Sequence, residues 1–564
     1  MSAKKEKLII YQALVRLFGN TNLTRKPNGS IAENGCGKMN DFTLDALRSI
    51  KRLGCNAIWY TGLIQQATET DYSEYGIPRQ HPQVLKGKAG SPYAITDYYS
   101  VSCDLAADPA RRMAEFDKLV ERTHKAQLKM IMDFVPNHVA RQYKSVTKPK
   151  GVLDLGQADS PSHTFDPQNN FYYCNEPLHL ERVGNPGDYT EIPAKATGND
   201  VFHAWPDRND WYETVKLNYG VDYCGGGGFY FNPMPDTWKK MLDILLYWAS
   251  KGVDGFRCDM VFMVPVDFWH WAIAKVKEQY PDVIFIAEIY DPSIYRSYIE
   301  FGGFDYLYDK VGLYDTLRGV VEGRESASAI TQCWQSVEGF QDKMLNFLEN
   351  HDEQRLASDF FAGDALKGRP AVAVSCLMNT NPFMLYFGQE LGERGMEAEG
   401  FSGRDGRTTI FDYWAIPSIA KWAGADKTYR KARLSKAEQK LREWYQSILT
   451  LANTNQAFQR GSFYDLTYCN FDNPDYDVHR QFAFLRQYGR EVVLVVANFD
   501  AADKTVRIQV PEEAWNFVGV TGSRRRHFQD LITGEWNFIH HDITKPFEQY
   551  VRGNDVAVIR FQTN

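Results

Sequence analysis

Eight short apolar runs recur through the first 388 residues of this 564-residue chain, and stretches with helical spacing separate most of them. They lie at 8–14, 56–63, 129–135, 253–259, 283–289, 304–309, 344–350 and 382–388. Strands that alternate with helices build parallel βαβ units, and eight such units close a (β/α)8 barrel. The expected fold class is therefore α/β, a TIM barrel. Between the runs, Met113, Phe116, Leu119 and Val120 form one apolar helical stripe. Trp238, Met241, Leu242, Leu245 and Trp248 form a second, with Asp236 expected as its N-cap. A third helix, over 435–453, opens on a Ser435–Glu438 capping box. All three stripes read as core.

Two departures from plain alternation define the expected domains. Asp133 and Asp259 stand 126 residues apart (259 − 133), far more than one βα unit needs. The surplus, 139–232, is rich in Gly, Pro, Asn and aromatic residues. A connection of that length in a compact fold is an inserted domain or a functional loop. After about residue 456 the pattern becomes strands without helices between them, at 482–489, 491–499, 504–510 and 556–562. The expected organisation is a barrel in two parts, 1–138 and 233–456, an inserted domain at 139–232, and a C-terminal β-sandwich at 457–564.

Four of the runs end in chemistry: DFVPNH at 133–138, GFRCD at 255–259, IAEIY at 286–290 and FLENHD at 347–352. An α/β barrel gathers its active site at the carboxyl ends of its strands. A lone carboxylate at a strand end is usually just solvated. Four such segments in chain order are not explained that way. Asp259 and Glu288 are 29 residues apart (288 − 259), which puts them on neighbouring strands. A carboxylate pair across a glycosidic bond is what sugar hydrolysis requires. Arg257, two residues before Asp259, shares its face by strand alternation and is expected to keep that carboxylate ionised. Ile286, Ala287 and Ile289 around Glu288 suit an acid whose proton is held by an apolar setting. Asp352 and His351 close the seventh run and could meet ring hydroxyls as charge develops at the sugar. Cys258 should point into the barrel wall as a small hydrophobe.

The remaining composition excludes several classes. The net charge is −7 and no basic stripe or long Lys/Arg run occurs, so a nucleic-acid partner is not expected. No apolar stretch approaches about 20 residues, so no membrane partner is expected. Nine scattered cysteines with no paired spacing read as free thiols in a reducing compartment. The N-terminus lacks an apolar stretch followed by a small-residue cleavage site, and a cytoplasmic location is expected. Aromatic residues make up 14% of the chain, which fits sugar-stacking platforms and core filling equally.

Together these segments resemble the α-amylase superfamily, glycoside hydrolase family 13. DFVPNH, GFRCD, the Glu288 strand and NHD are similar to its four conserved regions. SPYAITDYYSV (91–101) resembles its HGYDxxDYY stretch and NPFMLYFGQELG (381–392) its last strand. The resemblance implies Asp259 as nucleophile, Glu288 as acid/base and Asp352 as transition-state stabiliser. It implies Tyr93, His138, Arg257 and His351 around the reacting sugar, and Asp97, Asp133 and Asn137 as supporting residues. The inserted segment would be the family's domain B. The implied partner is an oligo- or polysaccharide. The implied activity is retaining cleavage of α-1,4-glucosidic bonds; the alternatives are a transglycosylase or isomerase on the same fold and, remotely, a non-catalytic carbohydrate-binding protein.

Three departures from the family pattern matter. Phe262 and Met263 stand where a Lys-His pair often follows the nucleophile. Lys216 stands where an Asp commonly ligates calcium, so no cofactor is expected and a calcium cage of six to eight oxygens cannot be assembled. Ala94 replaces an acid common after the stacking tyrosine. The segment 403–414 follows the eighth run and reads as a polar loop anchored by a tryptophan, or else as a substrate contact. Trp205, Trp211, Tyr212 and Tyr219 in the insertion are candidate sugar platforms or core.

Overall fold

The computed structural model describes residues 6–180 and 187–563. The expectations that fall on residues 1–5, 181–186 and 564 lie outside the described residues. All eight runs form strands: β1 Ile9–Leu14, β2 Ala57–Thr61, β3 Lys129–Phe134, β4 Gly255–Cys258, β5 Ile284–Ala287, β6 Tyr306–Tyr308, β7 Met344–Phe347 and β8 Phe383–Tyr386. They close in the order β1-β8-β7-β6-β5-β4-β3-β2, each pair parallel. Parallel strands covered on both faces bury nearly every residue, which is why they read as continuous apolar runs rather than alternating ones.

The amphipathic helices lie where the stripes placed them. Helix α1, Arg112–Lys125, buries Phe116, Leu119 and Val120. Helix α2, Asp236–Ser250, buries Trp238, Met241, Leu245 and Trp248. Its N-cap is Pro235, not the expected Asp236. Proline ends the preceding chain in an extended conformation, and Asp236 becomes the first helical residue, paired with Lys240 at 2.8 Å. Helix α3, Lys436–Thr454, carries the Ser435–Glu438 capping box complete.

The insertion leaves β3 through His138–Ala140, which pairs antiparallel with Thr214–Lys216, His138 opposite Lys216. This short ladder ties both ends of the insertion to the rim of the barrel. Between them regular structure is sparse, and a buried Arg141 substitutes for it. Its guanidinium donates to Glu191 Oε1 at 2.7 Å, to Tyr212 O at 2.7 Å and to Thr214 O at 3.3 Å.

The C-terminal region is all-β apart from one α-helix and a short 3-10 turn at Tyr468–Asn470. Its strands are β9 Ser462–Asp465, β10 Gln481–Tyr488, β11 Glu491–Asn498, β12 Lys504–Ile508, β13 Arg524–Asp530, β14 Trp536–His541, β15 Phe547–Val551 and β16 Asp555–Gln562. Six form one sheet in the order β9-β10-β11-β16-β13-β14, and β12 pairs with β15. The expectation of strands without helices fails at one point: α4, Glu512–Phe517, follows β12. It buries Ala514 and Trp515 against the space between the sheets. One face of the large sheet makes that inner core, while Phe482, Phe484, Val493 and Val495 on the other face join the core of the barrel.

His541, at the end of β14, is caged by Trp515, Phe528, Phe547 and Phe561 at centroid distances of 4.9–6.0 Å. Neither ring nitrogen has a hydrogen-bond partner among the described residues. Burial, then Arg526, pushes its pKa down to about 4. The folded state therefore refuses a proton that the unfolded chain takes up below about pH 6.5, so this site removes stability as pH falls from there toward 4. His541→Phe should raise stability by about 1 kcal/mol at pH 7 and by more at pH 5, since it abolishes an unpaired buried polar group. Urea unfolding at the two pH values checks this; a gain that shrinks on acidification would contradict it.

Candidate active site

The geometry of the carboxylates follows from strand register. Asp133 on β3 lies opposite Arg257 on β4. Asp259, two residues beyond Arg257, faces the same way, while Phe134 and Cys258 turn outward and are buried. Arg257 Nη1 donates to Asp259 Oδ1 at 2.8 Å and to Asp133 Oδ1 at 3.3 Å. Its Nη2 lies 2.7 Å from Glu288 Oε1. Adjacent nitrogens of one guanidinium thus grip the two carboxyls on β4 and β5, which brings them within reach of the about 5–5.5 Å spacing of retaining pairs. The guanidinium itself is buried among Trp59, Tyr93 and Tyr308, 5.1, 5.4 and 5.6 Å from their ring centres.

Glu288 is fixed from two more directions. Tyr290 Oη donates to Oε1 at 2.6 Å, and the Met260 N–H donates to Oε2 at 2.8 Å. Met260 reaches that position in a left-handed conformation, φ 44° and ψ 48°. Such a backbone costs a non-glycine residue about 1–2 kcal/mol, and strain of this kind collects at functional sites.

Arg257 is shared by three carboxylates, so it does not by itself keep Asp259 ionised as expected. Burial first, then the neighbouring Glu288, hold the Asp259 carboxyl well above the usual carboxylate range, with Arg257 opposing. Asp352 behaves oppositely. Burial would raise it, but His351, Arg257 and Arg407 outweigh burial and hold it below its ordinary value.

The other expected site residues divide into two groups. Tyr93, His138, Asp259, Glu288 and Asp352 line one pocket of about 330 Å³. His351 sits just behind it: Nε2 lies 3.0 Å from Asp352 Oδ2 and 2.5 Å from Tyr93 Oη. His138 is neutral, because burial and the Lys216 and Lys86 ammoniums push its pKa down to about 3. Asp133 lies beneath the pocket and accepts from Trp59 Nε1 at 3.1 Å. Asp97 and Asn137 brace the insertion. Asp97 accepts from the N–H groups of Val146 and Thr147 and from both Ser145 and Thr147 hydroxyls. Asn137 donates to Gly198 O at 2.8 Å and accepts from Lys216 Nζ at 2.6 Å.

Several contributors went unrecognised in the sequence. Gln12 on β1 places its amide 2.8 Å from His351 Nδ1, and Tyr308 on β6 accepts from Arg257 Nε at 3.2 Å. With Trp59 they form the floor of the site. Their only signal is the inward parity of strands already located, which core residues share. The segment 403–414 is more than a polar loop: Ile410 and Phe411 line the pocket, while Trp414 anchors it in the core. Trp211 also lines the pocket. Tyr219 is core, and Trp205 is exposed, stacked on His179 at 3.7 Å.

A closed parallel barrel with clustered carboxyls at its strand ends defines an enzyme of the barrel class, with a site suited to sugar chemistry. Comparison makes the class specific. Residues 28–458 match the alpha-amylase catalytic domain, and the chain belongs to that family and is a glycosidase-type enzyme. It is 23% identical to alpha-amylase 3 of Dictyoglomus thermophilum over 436 residues, 72% of this chain and 70% of that protein. It is 23% identical to a cyclomaltodextrinase of a Bacillus species over 516 residues, 88% and 74%. The match to alpha-amylase MalA of Haloarcula japonica, 25% identical over 362 residues, spans 63% of this chain but only 42% of that protein. A maltogenic alpha-amylase, AmyB of Thermotoga neapolitana, shares the fold at TM-score 0.63 and 20% identity, with each chain fully covered. An alpha-amylase of Geobacillus thermoleovorans, solved with acarbose, does so at TM-score 0.64 and 18% identity, covering 100% of this chain and 99% of that one. Among the described residues no helix is long and apolar enough to cross a membrane.

Proposed function

We propose that the chain is a retaining glycoside hydrolase that cleaves α-1,4-glucosidic bonds in maltooligosaccharides and related α-glucans. The observation that carries this reading is the shared grip of Arg257 on Asp259 and Glu288 at one pocket. Asp259 attacks the anomeric carbon as Glu288 gives its proton to the departing glycosidic oxygen. One C–O bond forms to Asp259 and one breaks to the leaving sugar. Water then attacks the glycosyl-Asp259 ester, Glu288 takes up the water's proton, and the carboxylate is released. Asp352, held ionised beside His351, faces the positive charge that develops at the sugar. Tyr93, His138, Arg257 and His351 surround that sugar. The nine cysteines, all free, support a reducing, cytoplasmic setting.

A second reading has an observation of its own. Phe262 packs edge-on against Tyr290 at 6.2 Å, and Tyr290 lines the pocket beside Glu288, so the pocket wall there is aromatic where the family often has Lys-His. Such a wall favours a sugar acceptor over water, which makes the same intermediate a transglycosylation donor. Incubation with maltoheptaose separates the readings. Shorter products only support hydrolysis; products longer than the substrate support transfer; no change in the sugar contradicts both.

The calcium expected of many relatives does not fit here. The buried Lys216 ammonium reaches Asn137 Oδ1 at 2.6 Å, Asp200 Oδ1 at 2.6 Å and Met263 O at 3.2 Å. It joins the end of β3, the insertion and the turn after Asp259, and a second cation there would be repelled. We therefore propose that the ammonium does the tying. Chelator should leave activity unchanged. Lys216→Met leaves the buried Asn137 Oδ1 without its donor and should destabilise the fold by about 1–3 kcal/mol. Inactivation by EDTA that added calcium reverses would overturn this.

A further inference from the structure

The catalytic pocket has a neighbour. A second cavity, of about 570 Å³, lies against the insertion and the loop after β2. Two short segments separate them, and their residues alternate between the two spaces. Lys86 faces the catalytic pocket, while Leu85 and Gly87 face the outer cavity. Across from them, Trp211 and Glu213 face the catalytic pocket, while Tyr212 faces the outer cavity. The segments 85–87 and 211–213 are thus a partition one residue thick.

The partition is fastened on both faces. On the pocket side, Lys86 Nζ pairs with Glu213 Oε2 at 3.1 Å, and both side chains are nearly buried, 12% and 6% exposed. On the outer side, Tyr212 Oη donates to Leu85 O at 3.0 Å. A third segment seals the join. Gly87, at φ +65°, packs so closely that a Cβ there would lie 2.2 Å from Phe411 O. Buried Arg16 holds that seal by donating to Ile410 O and Gly90 O, both at 3.1 Å, and to Ala89 O at 2.8 Å.

We propose that this partition determines specificity: it stops the glucan chain at the Lys86–Glu213 pair, so that the enzyme acts near chain ends and on short linear substrates rather than within long chains. The inference rests on the α-glucan reading above. An interior sugar at Asp259 must continue past the pocket on both sides, and on this side the outer cavity is the space the chain would enter. The partition occupies the path. A pocket of about 330 Å³ is also at the small end of ligand sites, which run from about 300 to 1,000 Å³. The ion pair serves as a stop because its two opposite charges hold the two segments of the partition together across the path.

Maltoheptaose and its cyclic counterpart have the same seven glucosyl units, and only the linear one has ends. The parent enzyme should prefer the linear form by about 100-fold or more in kcat/KM, the scale that a blocked subsite imposes. Removing both charges together, in Lys86→Ala/Glu213→Ala, leaves no charge buried alone and opens the partition. The preference should then fall at least about 10-fold, with cyclic sugar now opened. Tyr212→Phe removes only the outer bond, keeps the ring, and should lower the preference by a smaller factor. It carries the test if the double variant fails to fold. Equal rates of the parent enzyme on linear and cyclic sugar would overturn the inference. So would an unchanged preference in variants that melt as the parent does. If neither sugar is cut while p-nitrophenyl α-glucoside is, the α-glucan reading itself falls, and this inference with it.

Discussion

Replacing Asp259 with alanine is expected to lower kcat/KM on maltooligosaccharides by at least about 10⁴-fold, the scale seen when an enzyme loses its nucleophile. The fold should survive. Asp259 is held against burial and against the nearby Glu288, with only a shared Arg257 in compensation. Deleting one of two mutually repelling carboxyls leaves Arg257 with Glu288 and Asp133 still as partners. Melting temperature should therefore stay level or rise while activity collapses, the trade-off expected where a site stores unfavourable electrostatics. Azide should partly restore turnover by attacking the anomeric carbon from the vacated face, giving a β-glycosyl azide. A variant that keeps activity within 10-fold of the parent would remove Asp259 from the mechanism.

Glu288→Gln is expected to be the second-largest loss, about 10²–10⁴-fold on natural glucans, the usual worth of a positioned acid–base group. Glutamine keeps the shape: its carbonyl oxygen can accept from Met260 N–H while its NH2 donates to the Tyr290 hydroxyl, which reverses its role, so the pocket should persist. The distinguishing signature is leaving-group dependence. Sugar alkoxides need a proton to depart, whereas fluoride does not, so α-glucosyl fluoride should be processed with far less impairment in the glycosylation step. Equal impairment on both substrates would show that Glu288 only shapes the site. Met260 gives a milder check on the same geometry: Met260→Gly relieves the left-handed strain yet keeps the N–H, and activity should change little.

What was legible in the sequence had a physical reason to be. Parallel strands buried on both faces are apolar nearly throughout, so a charged residue at the end of one or just after it is conspicuous; Asp133, Asp259 and Glu288 stood out for that reason. Gln12, Trp59 and Tyr308 did not, because an inward side chain on a barrel strand is as often filler as floor. Asp97 was legible as a site residue by resemblance, but its partners at Ser145, Val146 and Thr147 show that it organises the start of the insertion. The partition could not be read at all. Leu85 and Tyr212 are 127 residues apart in irregular segments, and nothing local specifies their meeting. Strand β13 escaped because one of its two buried inward positions is Arg526, so RRRHFQD shows no apolar alternation, and β14 because all but its last residue is exposed. The helix α4 escaped because six residues are too few for a period to declare itself.

The central claim is a covalent glycosyl ester on Asp259, and trapping it is the most direct test. Incubation with 5-fluoro-α-glucosyl fluoride, whose second fluorine slows release of the intermediate more than its formation, should add one fluoroglucosyl mass to the protein. Peptide mapping should place that mass on the segment containing Asp259, and prior incubation with acarbose should prevent it. A label on another carboxylate, or no label while the reagent is turned over with inversion, would contradict the account.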